Sequence, residues 1–120
     1  MLFQGNLEEK LESIQEYWSP KIIGELNGQY VKLAKLKGEF VWHAHEEEDE
    51  LFFVIKGNLE IHFRDEVKKL SQGDFIIVPK GVEHKPIANE EVHIMLFEPK
   101  STINTGEAES ELKKENLDWI

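Results

Sequence analysis

Between Gly28 and about Pro99, short runs rich in Val, Ile and Phe alternate with turns of Gly, Pro, Asn and charged residues. The spacing, roughly 8 to 12 residues, is that of an all-β domain. The segments predicted as strands are Tyr30–Leu36, Glu39–His45, Glu50–Lys56, Asn58–Arg64, Lys68–Leu70, Asp74–Val78, His84–Ile87 and Val92–Glu98. Several are apolar on both faces, Leu51-Phe52-Phe53-Val54-Ile55 above all, so the outer side of the sheet is expected to be covered as well. Upstream the period changes. Leu7, Leu11, Ile14 and Trp18 form one apolar stripe behind Asn6 and Glu9, which are placed as a capping box. This predicts a short amphipathic helix that ends before Pro20 and packs on the body of the fold. The helix and a second subunit are the expected covers, and a homodimer is therefore anticipated. After Pro99 the chain is polar and acidic until Leu117-Asp118-Trp119-Ile120, an ending expected to dock back on the domain or on a neighbouring subunit. The expected organisation is residues 1–27 as helix and lead-in strand region, 28–99 as the barrel and 100–120 as an acidic tail.

A chain of 120 residues suits one domain around one core. Hydrophobic residues at 40% against 32% charged describe a globular chain. The longest apolar run, Leu51 to Ile55, is far short of the ~20 residues that cross a bilayer as a helix, so no membrane span is expected. The net charge of −10, with Arg64 the only arginine, argues against nucleic acid and anionic membranes as partners. The absence of cysteine removes disulfides, thiolate metal sites and cysteine nucleophiles. Any metal must then use nitrogen and oxygen ligands. The N-terminal residues lack the basic start and longer apolar stretch of a secretory signal, so the expected compartment is the cytoplasm.

His43-Ala44-His45 places two imidazoles at i and i+2, on one face of a strand. The polar loop Glu46-Glu47-Glu48-Asp49 follows, and Glu50 opens the next strand, returning near His45 if the two strands pair as a hairpin. His84 follows the turn Pro79-Lys80-Gly81-Val82-Glu83, which can bring another strand edge to the same point. Three imidazoles and a carboxylate suit a divalent first-row metal with positions left for water, dioxygen or substrate. The plainer alternative is a metal-free barrel whose histidines are hydrogen-bonded inside. His62 and His93 belong to no such constellation and read as structural, with a cavity-lining role for His93 as the alternative. Inward His43 and His45 send Trp42 and Ala44 outward, and inward Glu50 carries Phe52 and Val54 with it. The expected cavity is mostly apolar around a polar centre, suited to a small molecule with one chelating end.

These residues resemble the two motifs of the cupins. The first, G(X)5HXH(X)3–4E(X)6G, matches Gly38, His43, His45, Glu50 and Gly57, with four residues in place of five after Gly38. The second, G(X)5PXG(X)2H(X)3N, matches Gly73, Pro79, Gly81 and His84, with Asn89 one position late. The resemblance implies a double-stranded β-helix, or jelly-roll barrel, with a metal held inside by His43, His45, Glu50 and His84. Phe40-Val41-Trp42-His43, Val78 to Pro86, and Glu98-Pro99 with Thr102-Ile103-Asn104-Thr105-Gly106 are similar to short bacterial cupins often labelled as related to mannose-6-phosphate isomerase. That label reflects shared fold more than activity. The metal would be iron, manganese, nickel or zinc, and the chemistry that of an oxygenase or an isomerase on an unassigned substrate. Glu83 and His93 are candidate bases. A sugar phosphate would need cations, for which only Arg64, Lys80 and Lys85 lie near the motifs. The alternatives are a metabolite-binding or sensing barrel without turnover, and a site that serves only to stabilise the barrel.

Overall fold

The computed structural model describes residues 2–120. A short helix α1 (Leu7–Glu12) precedes seven strands: β1 (Lys21–Leu26), β2 (Gln29–Glu39), β3 (Glu50–Lys56), β4 (Leu59–His62), β5 (Val67–Leu70), β6 (Phe75–Val78) and β7 (Lys85–Pro99). All pairings are antiparallel, in the order β1-β2-β7-β3-β6, with β4 joining β7 to β5. The long β7 organises the barrel. Its first part lies against β4, with Ile87 opposite Glu60, and its second against β3, with Phe97 opposite Leu51, while β2 follows both. Between them the register shifts: Leu36 faces Val92 but Gly38 faces Ala88, which leaves Asn89, Glu90 and Glu91 bulged and exposed. Such a bulge bends a strand and lets it serve two sheets. The segments expected separately at His84–Ile87 and Val92–Glu98 are thus one strand, and Asn89 points away from the interior.

Strand alternation fills the barrel. Ala34 and Leu36 of β2, Phe52 and Val54 of β3, Leu59 and Ile61 of β4, and Val92, Ile94 and Leu96 of β7 form one buried cluster with Trp18 and Phe40. A second, outer cluster joins Leu11 and Ile14 to Leu33, Ile23, Ile55, Met95 and Ile120. The N-terminal segment therefore covers part of the outer face, but not as one helix. The helix stops at Glu12, where the Ser13 hydroxyl and backbone N–H both donate to the Lys10 carbonyl. Trp18 then takes φ 59°, its backbone N–H donates to the Lys35 carbonyl at 3.0 Å, and its indole turns into the barrel to donate to the Lys37 carbonyl at 2.9 Å. The apolar stripe thus serves two surfaces, which is why its period continues past the helix.

The run Glu39–His45 is not a strand beyond Glu39. Gly38 at φ 90° turns the chain, and residues 40–45 find no ladder except one antiparallel bridge between His43 and His84. The C-terminal residues dock on their own barrel: Ile22 donates to the Asp118 carbonyl and Ile120 to the Ile22 carbonyl, while Trp119 packs on Phe3 and Tyr30. This shields the edge of β1, the outermost strand on that side. Among the described residues no helix is long and apolar enough to cross a membrane.

Candidate metal centre

His43, His45, Glu50 and His84 meet inside the barrel, all buried, with one donor atom from each within 4.8 Å of the others. Glu50 is delivered by the inward phase of β3, ahead of Phe52 and Val54. The paired backbone bonds between His43 and His84, at 3.0 and 2.9 Å, bring two ligand-bearing segments to one level. His45 is held two residues on, its carbonyl accepting from the Gly81 N–H at 2.8 Å. The expected hairpin between the His45 and Glu50 segments is absent: β3 pairs with β6 and β7, and Glu50 reaches the imidazoles through the barrel interior.

The hydrogen bonds prepare these rings for a metal. His43 Nδ1 lies 2.8 Å from the Val41 carbonyl and His84 Nδ1 2.9 Å from the Val82 carbonyl, so each donates there and leaves Nε2 with a free lone pair. His45 is buried with neither nitrogen in a hydrogen bond, although Nε2 sits 3.4 Å from Glu50 Oε1. Glu50 Oε1 is also 3.3 Å from His84 Nε2. An imidazole left without partners is expensive to bury unless something satisfies it, and a cation among these donors does so. Metal–ligand distances of ~2.1 Å separate opposite donors by about 4.2 Å, so the cluster fits an ion after a small contraction.

Electrostatics point the same way. Burial, with His84 nearby, lowers the His43 pKa to about 4, so the ring is a neutral ligand at neutral pH. Burial raises Glu50, but the polar side chains of His45, His84 and Glu98 packed against it outweigh that and hold the carboxyl well below its usual range. Glu98 moves the opposite way. Burial, then the adjacent Glu50 charge, push it well above the ordinary range, which Lys32 offsets only in part.

A cavity of about 40 Å³ opens beside the cluster, space for a few waters or a very small ligand. Phe40, Phe52, Trp18 and Leu96 supply apolar wall; His43, Glu50 and Glu98 supply the polar end. Trp18 stacks on Phe40 with ring centres 4.8 Å apart. Asn104 also borders the cavity, but its amide is committed, donating to the Leu112 carbonyl and accepting from the Lys114 N–H. Next to it, Gly106 lies so close to the Ala44 carbonyl that a Cβ would overlap it, and the same Cβ would stand 3.4 Å from His45 Nδ1. The segment after β7 therefore closes the barrel over the histidines.

The other candidates lie elsewhere. His62 pairs with Glu60 at 2.8 Å and His93 with Glu91 at 2.7 Å, both away from the cavity. Glu83 binds Arg64, which lies over the Trp42 ring at 3.9 Å, and Lys85 binds Glu39. Neither expected base reaches the site, and none of the three expected cations lines the cavity. Lys32 and Glu98, by contrast, escape the sequence reading. A signal exists: Lys32 is in phase with inward Ala34 and Leu36, and Glu98 with Ile94 and Leu96, so alternation alone points both charges into the barrel.

A small antiparallel barrel holding three imidazoles and a carboxylate that could hold a metal ion is the arrangement of a cupin. The chain belongs to that family: the Cupin domain family (Cupin_2) matches residues 29–98. It is 38% identical over 81 residues to Uncharacterized protein YdbB of Bacillus subtilis (strain 168), covering 67% of this chain and 72% of that protein. Among solved structures it resembles a cupin-2 domain containing protein from Shewanella frigidimarina NCIMB 400, at 47% identity and TM-score 0.78, covering 79% of this chain and 93% of that one. It also resembles protein NMB1881 from Neisseria meningitidis, at 33% identity and TM-score 0.74, covering 81% of this chain and 99% of that one.

Proposed function

We propose that this cupin binds a divalent transition metal through His43, His45, Glu50 and His84, and uses it to hold the chelating end of a small, largely apolar molecule. The carrying observation is the pair of Nδ1 to carbonyl bonds at His43 and His84, which fixes the free Nε2 atoms beside the buried, ionised Glu50. Iron, manganese, nickel and zinc all accept this donor set. A bound ion of this kind supplies Lewis acidity to a coordinated oxygen or, as iron, oxygen chemistry. The protein would exclude water with Trp18, Phe40 and Phe52 and orient the ligand against Glu98. The small cavity argues for a compact substrate, and the lack of cationic walls argues against a phosphorylated one.

The remaining reading, a binding or sensing barrel without turnover, draws support from the absence of Glu83 and His93 from the cavity wall. We also propose a homodimer. Phe75 and Ile77 of β6 are 65% and 56% exposed and lie opposite Phe53 and Leu51 on the outer face, beside the part that the N-terminal segment covers. Elemental analysis of protein purified without chelator tests the metal reading. Near-stoichiometric metal that is lost in His43→Ala and His84→Ala supports it, and a protein that neither carries metal nor takes it up from added salts rules it out.

A further inference from the structure

Behind the candidate ligands lies a second buried charge system that metal binding by itself does not require. Lys32 Nζ donates to Glu98 Oε1 at 2.8 Å, and both side chains are 2% exposed. Few arrangements are harder to maintain than a fully buried lysine, and Glu98 is its hydrogen-bond partner. The strands explain the placement. Lys32 lies opposite Leu96 on β7, two residues from Glu98, and Leu51 lies opposite Phe97, so the neighbouring inward residues Glu50 and Glu98 come together. Lys32, Glu98 and Glu50 thus run as one row across β2, β7 and β3 toward the imidazoles. Glu98 Oε1 is occupied by Lys32, whereas Oε2 has no hydrogen-bond partner, and the Glu98 side chain lines the same cavity as Glu50.

We infer that the Lys32–Glu98 pair is a positioning device: anchored by Lys32, Glu98 presses on the far side of Glu50 and fixes the carboxylate so that its Oε1 faces His45 and His84. Among the described residues, Glu98 is the side chain beyond the two imidazoles that acts on the Glu50 carboxyl. On the ligand side the neighbours of Glu50 are the two imidazoles, at 3.4 and 3.3 Å, and these are the groups with which it would share an ion. Without support from behind, Glu50 is free to rotate out of the common focus, and a carboxylate that must be ordered at each binding event binds more weakly. Groups that orient a metal ligand in this way typically change affinity ten- to a hundredfold when removed. The inference rests on the metal reading above.

The test is metal affinity in the intact protein, measured with zinc by competition against a chromophoric chelator. Glu98→Asp keeps a charge for Lys32 and draws the carboxylate back from Glu50 by one methylene. Its zinc dissociation constant is expected to rise at least tenfold while the melting temperature of the metal-free protein stays near the wild-type value. Lys32→Met with Glu98→Leu removes both members of the pair together, a replacement that folded proteins tolerate better than loss of one buried partner. It is expected to weaken zinc ten- to a hundredfold, and Lys32→Met with Glu98→Gln, which restores a polar contact to Glu50, is expected to recover most of that loss. Wild-type affinity in Glu98→Asp, or equal affinity in the Leu and Gln forms, would overturn the inference. A wild-type protein that binds no zinc, iron, manganese or nickel fails earlier and on different grounds, because it removes the metal reading itself.

Discussion

Protonation of His43 makes the metal-free barrel acid-sensitive by an amount that can be worked out. In the unfolded chain this imidazole titrates near 6.5, and in the folded protein its burial and the neighbouring His84 lower the value to about 4. Across that window the unfolded chain holds more protons than the folded one, so stability rises with pH and is lost as pH falls from about 6.5 toward 4. At 1.36 kcal/mol per pKa unit the full effect is on the order of 3 kcal/mol, with about 2 kcal/mol already lost at pH 5. His43→Gln keeps a polar side chain and abolishes the titration. Urea unfolding of chelator-treated protein at about pH 7 and about pH 5 compares the two. With a urea dependence of roughly 1 to 3 kcal/mol per molar, the wild-type midpoint should fall by about 1 M more than that of the variant. Glu50 and Glu98 titrate in both proteins and largely cancel in the difference. Midpoints that fall in parallel would refute the argument and place His43 in contact with water.

Two further outcomes follow from the closure of the barrel and from its open face. Gly106→Ala must fit a Cβ onto the Ala44 carbonyl at a backbone φ of 57°, so we expect a loss of about 3 kcal/mol in urea unfolding and weaker metal retention as the closing segment lifts from His45; unchanged stability would mean that this segment does not press on the histidines. Phe75→Glu with Ile77→Glu should convert a dimer into a particle of the 14.0 kDa chain mass in light scattering, and a wild-type protein already at that mass would exclude the second subunit as the cover of this face.

The constellation His43, His45, Glu50 and His84 was legible because a metal-type site requires particular atoms, and the spacing of those residue types survives changes in the intervening loops. The route by which they meet was less legible. Hairpin logic brings Glu50 back to His45 along the chain, whereas the barrel brings it across the interior from β3, and the bridge at the site joins His43 to His84. Nothing in Glu39–His45 marks that its ladder partners run out, since a strand and a strand-like loop share residue types and differ in what lies alongside. The bulge at Asn89–Glu91 was hidden for a related reason. Three polar residues between apolar runs signal a turn when the chain reverses and a bulge when it only bends, and the choice depends on β2 following both halves of β7.

Lys32 and Glu98 carry the more general lesson. Each interrupts an apolar segment with a charge, and a reading by composition assigns such residues to the surface. Phase decides otherwise, because a strand residue two positions from buried neighbours on either β2 or β7 cannot reach solvent without breaking the ladder. One inward polar group would be untenable, but an amine and a carboxyl on adjacent strands make a pair, and a second carboxyl on β3 beside them makes a gradient of polar groups across the barrel floor. That gradient ends at three imidazoles with two nitrogens already tied to the backbone. A row of this kind stabilises a barrel poorly when compared with leucines of the same volume. Its presence in so small a core is better accounted for by what it does to Glu50 than by what it does for folding, and the separation of zinc affinity from apo-protein stability in Glu98→Asp is the measurement on which that distinction turns.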